Sequence, residues 1–337
     1  MPAITVNAGD AFHADTGISI LDAAATASQL IPYSCRSGRC GTCKCKLIKG
    51  ESAAFANETG LTSQEQSEGW ILSCVRTATT DIVIQADTLD GLQLPQARTM
   101  PCRIQQLERP APDVLRVRLR LPPDASLDAL PGQYIEVIGS GGIRRSYSLA
   151  NTCDAGKPLE LHVRAIDGGA MSTYWFDHAR ENDLLRLRGP LGTFLLRDIA
   201  GRDLYFLATG TGIAPVLAQL ESMTAMPDRE QPRSVTVLWG GRQREDLYLD
   251  VAARIREHTF IPVLSRADPS WNGARGHVQD VLLARNPDLA NASVYACGSD
   301  AMIHTARASL ISAGLPNAHV HSDAFVCSAA PPTPQGQ

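Results

Sequence analysis

No window of the chain is apolar for the roughly twenty residues that a bilayer-spanning helix needs. Met1 to Gly9 carry neither the basic nor the apolar region of a secretory leader. The expectation is a soluble, cytoplasmic protein with no membrane partner. Net charge is small too: 31 Lys and Arg against 35 Asp and Glu leave −4, which points to no nucleic-acid partner and no polyacidic tail. Internal repeats are lacking, and residues 329–337 alone are of low complexity and read as disordered. Disulfides are not expected, because a reducing compartment leaves the nine cysteines as ligands or ordinary buried thiols. What the chain does have is 337 residues and 44% apolar content, enough for two to three domains with cores of their own.

The most specific pattern is Cys35-x4-Cys40-x2-Cys43, with Cys74 after thirty intervening residues. Three thiolates on one tight loop and a fourth from a distant segment enclose a [2Fe–2S] cluster in the plant-type ferredoxin manner. Gly38 and Gly41 lie between the ligands, where a wrapping chain needs backbone freedom and close N–H approach to sulfur. A structural zinc would call for a second C-x2-C pair or for histidines, and no such knuckle follows. Cys45 shares a face with Cys43 in an extended segment and is read as a non-ligand thiol. Cys102, Cys153 and Cys327 default to packing. Residues 1–90 hold ten acidic and six basic side chains, yet Arg36, Arg39, Lys44, Lys46 and Lys49 crowd the cluster loop. They form either a solvated basic rim or a docking patch for an acidic acceptor surface.

The fold class expected is multidomain. Residues 1–90 read as a small α+β ferredoxin-like (β-grasp) unit, with strands at Ile4–Val6, Lys44–Ile48 and Asp81–Ala86 and a helix over Ser19–Leu30. Residues 91–100 lose periodicity and read as a linker. Residues 101–199 read as an antiparallel β-barrel; Val114–Leu121, for example, alternates apolar and basic positions. In residues 200–327 short apolar strands alternate with helical patterns at Pro215–Met223 and Ala301–Ala313, as in a parallel α/β sheet that binds ligands at its C-terminal strand ends. Residues 328–337 are the tail.

The first of those strand ends carries Gly210-Thr211-Gly212-Ile213-Ala214-Pro215. A glycine-rich turn opening a helix offers free N–H groups to a pyrophosphate, and Pro215 suits the first turn. Pro215 replaces the third glycine of the dehydrogenase fingerprint, and Gly240-Gly241-Arg242 stands where an acidic residue would end the second strand. An ordinary Rossmann dehydrogenase is therefore not expected.

The string Arg145-Ser146-Tyr147-Ser148, the Gly169-x-x-Ser172 turn, GTGIAP and Cys297-Gly298 occur in the order of the ferredoxin–NADP reductase superfamily. With its N-terminal cluster module, the chain from about residue 3 to 326 resembles the iron–sulfur flavoprotein reductases. RRSYSLAN, VYACGSDAMI and HSDAFV look more like the branch that serves CDP-6-deoxyhexulose 3-dehydrases; YSCRSGRCGTCKCKL looks equally like reductases of ring-hydroxylating dioxygenases.

The resemblance implies roles. Arg145 would pair with a flavin phosphate, and Ser146 lies in the same motif. Tyr147 would stack on the isoalloxazine and Ser148 would hydrogen-bond near its N5, with Tyr147, Ser148 and Cys297 taken as the catalytic set. His162, Val163, Arg164, Gly169 and Ser172 would give backbone and hydroxyl donors to the pyrophosphate, Ser172 from a helix cap. Gly210, Thr211, Gly212, Pro215, Gly240, Arg242, Cys297 and Gly298 would form the nicotinamide side, and Phe325 would shield the flavin from the far side. The cofactors implied are [2Fe–2S], FAD rather than FMN, and NADH, with NADPH open because Arg242 and Ser265-Arg266 could grip a 2′-phosphate. Hydride brings two electrons and the cluster takes one, so a flavin must stand between them. The expected partner is a pyridoxamine-phosphate-dependent CDP-6-deoxyhexulose 3-dehydrase; a Rieske-type aromatic-ring oxygenase is the alternative, and a non-catalytic redox sensor is an alternative of another class.

Overall fold

The computed structural model describes residues 1–254 and 258–325; Cys327 and the expected tail at 328–337 lie outside the described residues. The N-terminal module is a five-stranded sheet in the order Phe12–His13, Ala3–Val6, Ile82–Ala86, Lys44–Lys49, Trp70–Leu72. Ile4, Val6, Ile82 and Ile84 face one core with Ile20, Leu21 and Ala24 of the helix Ile20–Thr26. Ser19 caps that helix, accepting from the Asp22 N–H at 3.0 Å. The helix stops four residues before the expected Leu30. Ser28 turns into the left-handed region at φ 60°, and the Gln29 N–H closes back on the Ala24 carbonyl.

The second unit is a six-stranded antiparallel sheet, in the order Arg144–Ser148, Tyr134–Ile138, Leu184–Leu191, Arg98–Ala111, Val114–Arg120, Leu159–Arg164. Its first strand begins at Arg98, inside the stretch read as linker. Met100 and Cys102 alternate inward there while Pro101 faces out, so the strand pattern already runs through the proline. Val114, Val117 and Leu119 are buried, and Arg116 and Arg118 reach carboxylates on the outer face. The two edge strands, Arg144–Ser148 and Leu159–Arg164, form no ladder with each other among the described residues; just past the first, Leu149 bridges Leu161 and the Ala150 N–H donates to the Glu160 carbonyl at 2.8 Å. The barrel therefore has a seam, and the expected flavin residues line both of its sides.

The third unit is a six-stranded parallel sheet, in the order Ala274–Arg275, Thr259–Leu264, Ser234–Gly241, Asp203–Thr209, Ala292–Ser299, Val320–Phe325. Chain order reverses on either side of Asp203–Thr209, which puts a crevice at its C-terminal end. Phe206, Trp239 and Tyr295 are fully buried there.

Candidate active site

The cluster loop is held open by positive-φ glycines. Gly38 has φ +75°, and a Cβ on it would stand 2.3 Å from the Asn57 carbonyl oxygen. The Gly60 N–H donates to the Gly38 carbonyl at 2.9 Å, and Ser73 donates from both N–H and Oγ to the Cys43 carbonyl. Cys35 hydrogen-bonds with Cys40, and Cys43 with Cys74. Among the described residues no three metal-binding side chains converge as a single-ion site requires. The pairing of Cys35 with Cys40 and of Cys43 with Cys74 fits a two-iron cluster, one pair to each iron. The hydrogen bond with Cys40 lowers the Cys35 thiol to about 5 against the cost of burial, and the Ser37 and Arg39 N–H groups add to it. Cys45 is fully buried in the module core, and burial pushes its thiol up to about 12. The basic rim is partly neutralised: Arg36 pairs with Asp22, Lys44 pairs with Glu65, and Lys46 lies 5.9 Å from the Trp70 ring centre.

At the barrel seam, Tyr147 accepts a hydrogen bond from Trp175 Nε1 at 2.9 Å, with the two rings edge to face. Burial raises its hydroxyl to about 12. Arg145 is half-buried and folds back on the Arg144 carbonyl at 2.7 Å; Ser146 is exposed. His162 does not face a ligand: its ring is enclosed, bonded to Glu160 Oε1 at 3.2 Å and to the Tyr248 hydroxyl at 3.0 Å. Only its backbone remains to serve a pyrophosphate. Val163 is buried. Arg164 binds Asp113 at 2.8 Å and Asp246 at 2.7 Å, tying the barrel to the nucleotide unit. Ser172 does not cap its helix; Gly169 is the cap residue of Ala170–Thr173, and the Ser172 hydroxyl accepts from the Ile166 N–H at 2.9 Å. The short turn closes on itself, so the hydroxyl serves the loop.

On the nucleotide side, the turn Gly210–Gly212 leads into the helix Ile213–Met223, with Pro215 in its first turn. A Cβ on Gly212 would lie 2.2 Å from the Cys297 carbonyl, and one on Gly298 2.1 Å from Thr209 Oγ1. These glycines let two strand ends touch and leave a cradle between them, which fits a dinucleotide approaching backbone. Trp239 Nε1 donates to the Gly210 carbonyl at 2.9 Å and pins the turn. Thr211 is buried. Gly240 has a packing reason as well: a Cβ there would meet Val278 at 2.9 Å. The Arg242 N–H donates to Asp246 and its carbonyl accepts from the Arg266 N–H. Phe325 is half-buried against the core of this unit.

Sequence reasoning missed Asp323. It is buried on the last strand, where Oδ1 accepts from Ser34 Oγ at 2.6 Å and Oδ2 from Ser148 Oγ at 3.3 Å. Cys297 Sγ lies 3.9 Å from the same Oδ2. Burial lifts the carboxyl to about 6, and raises the Cys297 thiol well above its ordinary value. The signal was faint, because its strand Val320–Phe325 reads VHSDAF and half of it is polar; only burial shows that this charge needs partners.

Three family models match in succession: a 2Fe-2S iron-sulfur cluster binding domain over residues 4–79, an oxidoreductase FAD-binding domain over 101–195 and an oxidoreductase NAD-binding domain over 206–308. The chain belongs to the iron–sulfur flavoprotein reductases. One such reductase, the CDP-6-deoxy-L-threo-D-glycero-4-hexulose-3-dehydrase reductase of Yersinia pseudotuberculosis, is 40% identical over 324 residues, 95% of this chain and 97% of that one. Reductase component 1 of the terephthalate 1,2-dioxygenase of a Comamonas species is 31% identical over 324 residues, 94% and 95% of the two chains. The crystal structure of an Amycolatopsis cytochrome P450 reductase superposes with a TM-score of 0.75 at 30% identity, covering 96% of this chain and 99% of that one. The expected fold class and the three cofactors stand. This reductase carries electrons from a nicotinamide dinucleotide through FAD and [2Fe–2S] to a partner enzyme. Among the described residues no helix is long and apolar enough to cross a membrane.

Proposed function

We propose that this reductase takes hydride from NADH and supplies electrons to a pyridoxamine-phosphate-dependent 3-dehydrase acting on a CDP-6-deoxyhexulose. The observation that carries the partner is the end-to-end identity of 40% with a dehydrase reductase, against 31% with a dioxygenase component of equal coverage. FAD, when bound, accepts the two electrons together and releases them singly. The chain's own residues do the rest. Cys35 and Cys40 hold one iron, Cys43 and Cys74 the other. Tyr147, steadied by Trp175, would cover the isoalloxazine. The Ser148 oxygen, its proton given to Asp323, would accept from the reactive edge of the flavin, and Thr211 and Cys297 would border the nicotinamide. Cys297 acts as a neutral wall, because burial keeps its thiol protonated. Arg145 has a guanidinium free to leave the Arg144 carbonyl for a flavin phosphate. The turn Gly210–Gly212 offers N–H groups to the dinucleotide pyrophosphate.

The test is anaerobic NADH consumption with a CDP-4-keto-6-deoxyhexose and its 3-dehydrase together, against a control without the dehydrase. Dehydrase-dependent turnover to a 3-deoxy product is expected. Reduction of an artificial acceptor with no such coupling moves the assignment to an oxygenase partner, and absence of any NADH oxidation revives the redox-sensor reading. Running the assay with NADPH separates the coenzymes, and a higher kcat/KM for NADH is expected.

A further inference from the structure

The two residues that precede Cys35 are bonded to the reductase half at almost every polar atom. The Tyr33 N–H donates to Thr193 Oγ1 at 2.7 Å, Thr193 Oγ1 donates to the Tyr33 carbonyl at 2.8 Å, and the Tyr33 hydroxyl accepts from the Gly192 N–H at 3.0 Å. The Ser34 carbonyl accepts from the Tyr134 hydroxyl at 3.2 Å, and Ser34 Oγ accepts from the Ala324 N–H at 3.3 Å while donating to Asp323. Ser34, Ser148 and Asp323 are all buried. The carboxylate therefore joins one residue from each of two other domains: Ser34, adjacent in sequence to a cluster cysteine, and Ser148, the hydroxyl at the flavin seam. Each of its oxygens holds one of them.

We propose that Asp323 is a positioning residue for electron hand-over, fixing the cluster loop through Ser34 against the flavin edge held by Ser148. This rests on the flavin and cluster assignments above. Each hand-over removes one electron from the reduced flavin and turns one ferric iron ferrous. The partner enzyme takes that electron and returns the iron to the ferric state before the second hand-over, so two of them discharge the pair delivered by one hydride, and the flavin's proton leaves to solvent. A buried carboxylate suits the task because each hydrogen bond to a charged group is stronger than one between neutral groups, and no water competes for its oxygens. Rotation of the cluster module about its linker would have to break both the Ser34 bonds and the Tyr33 bonds.

The test uses the full chain carrying FAD and cluster, mixed anaerobically with NADH, and follows flavin bleaching and cluster reduction as separate phases. Ser34→Ala is expected to leave the flavin phase unchanged and to slow the cluster phase about tenfold, the weight of one charge-assisted hydrogen bond. Ser34→Thr, which keeps the hydroxyl, is expected to restore it. Hydrogen exchange at the Ala324 amide should quicken in Ser34→Ala alone, a readout independent of turnover. An unchanged cluster phase despite a freed Ala324 amide overturns the proposal, as does equal slowing of both phases. If NADH bleaches no flavin in the unaltered protein, the flavin assignment falls and takes the proposal with it.

Discussion

Glu160 is ringed by Arg116 at 3.1 Å, Arg118 at 3.2 Å and His162 at 3.2 Å on the barrel's outer face, where its carboxylate is nearly enclosed. Burial opposes its charge, yet hydrogen bonds from His162 and Arg116 hold it well below the usual carboxylate range. Burial also lowers His162 and keeps it neutral, so the charge facing Glu160 comes from arginine. Removing one partner of such a buried pair leaves the others uncompensated, and Glu160→Ala is expected to cost about 3–5 kcal/mol in urea unfolding. The pH dependence has one sign for both groups. The native barrel binds neither proton, whereas the unfolded chain takes one on His162 below its ordinary 6.5 and one on Glu160 below its ordinary 4.5. Stability contributed by the pair is full above pH 6.5 and falls on acidification by about 1.4 kcal/mol per pH unit for each proton bound. Glu160→Gln should remove the lower step, which urea midpoints between pH 5 and pH 3 would show. None of this was legible beforehand: His162 stood out as a ligand candidate by motif, and only the register that sets it opposite Arg116 reveals its confinement.

Among the elements, the glycine turn after Asp203–Thr209 was the most readable. Its composition reports a close backbone approach, and the approach is real: Gly212 lies against the Cys297–Gly298 strand end. Gly212→Ala would drive a methyl into that backbone. Overpacking of this kind costs about 1–3 kcal/mol, roughly tenfold or more in affinity. The expected result is a raised KM for NADH with FAD retained and still reducible by dithionite; an unaltered KM would remove the turn from the dinucleotide site. Strand positions were legible where apolar residues alternate with charged ones, as in Val114–Arg120. The Arg98–Met100 segment escaped because proline and glycine nearby look like linker chemistry, while its pairing partner lies some ninety residues away at Gly189–Leu187. Ser172 was misplaced for a related reason: a serine after a glycine reads as a cap, and which amide it reaches is set by the turn.

For the whole molecule, the cluster was legible from local cysteine spacing, while domain order, FAD and the nicotinamide coenzyme came with the resemblance that the short motifs carry. The contacts between domains were not, since no spacing gives Ser34, Asp113, Asp246 or Asp323 a role, and they gain meaning only when the chain brings them together. The three sites should still fail separately. Cys40→Ser is expected to abolish the cluster's paramagnetic resonance and visible absorbance while leaving bound flavin reducible by NADH; loss of both would show that the cluster loop also supports the flavin.

Cys35 and Cys40 pack within the apolar cluster of the nucleotide unit, beside Leu207, Ala296 and Ala324, whereas Cys43 and Cys74 belong to the core of their own module. With the pairs holding one iron each, as proposed, the two irons would sit behind different walls, one native to the ferredoxin and one borrowed. A module cut out at the linker would keep all four thiols and lose half of its shelter from oxygen. This ferredoxin is therefore a poor candidate for transplantation, because part of the packing around its cysteines comes from residues far beyond the 4–79 span of its family match.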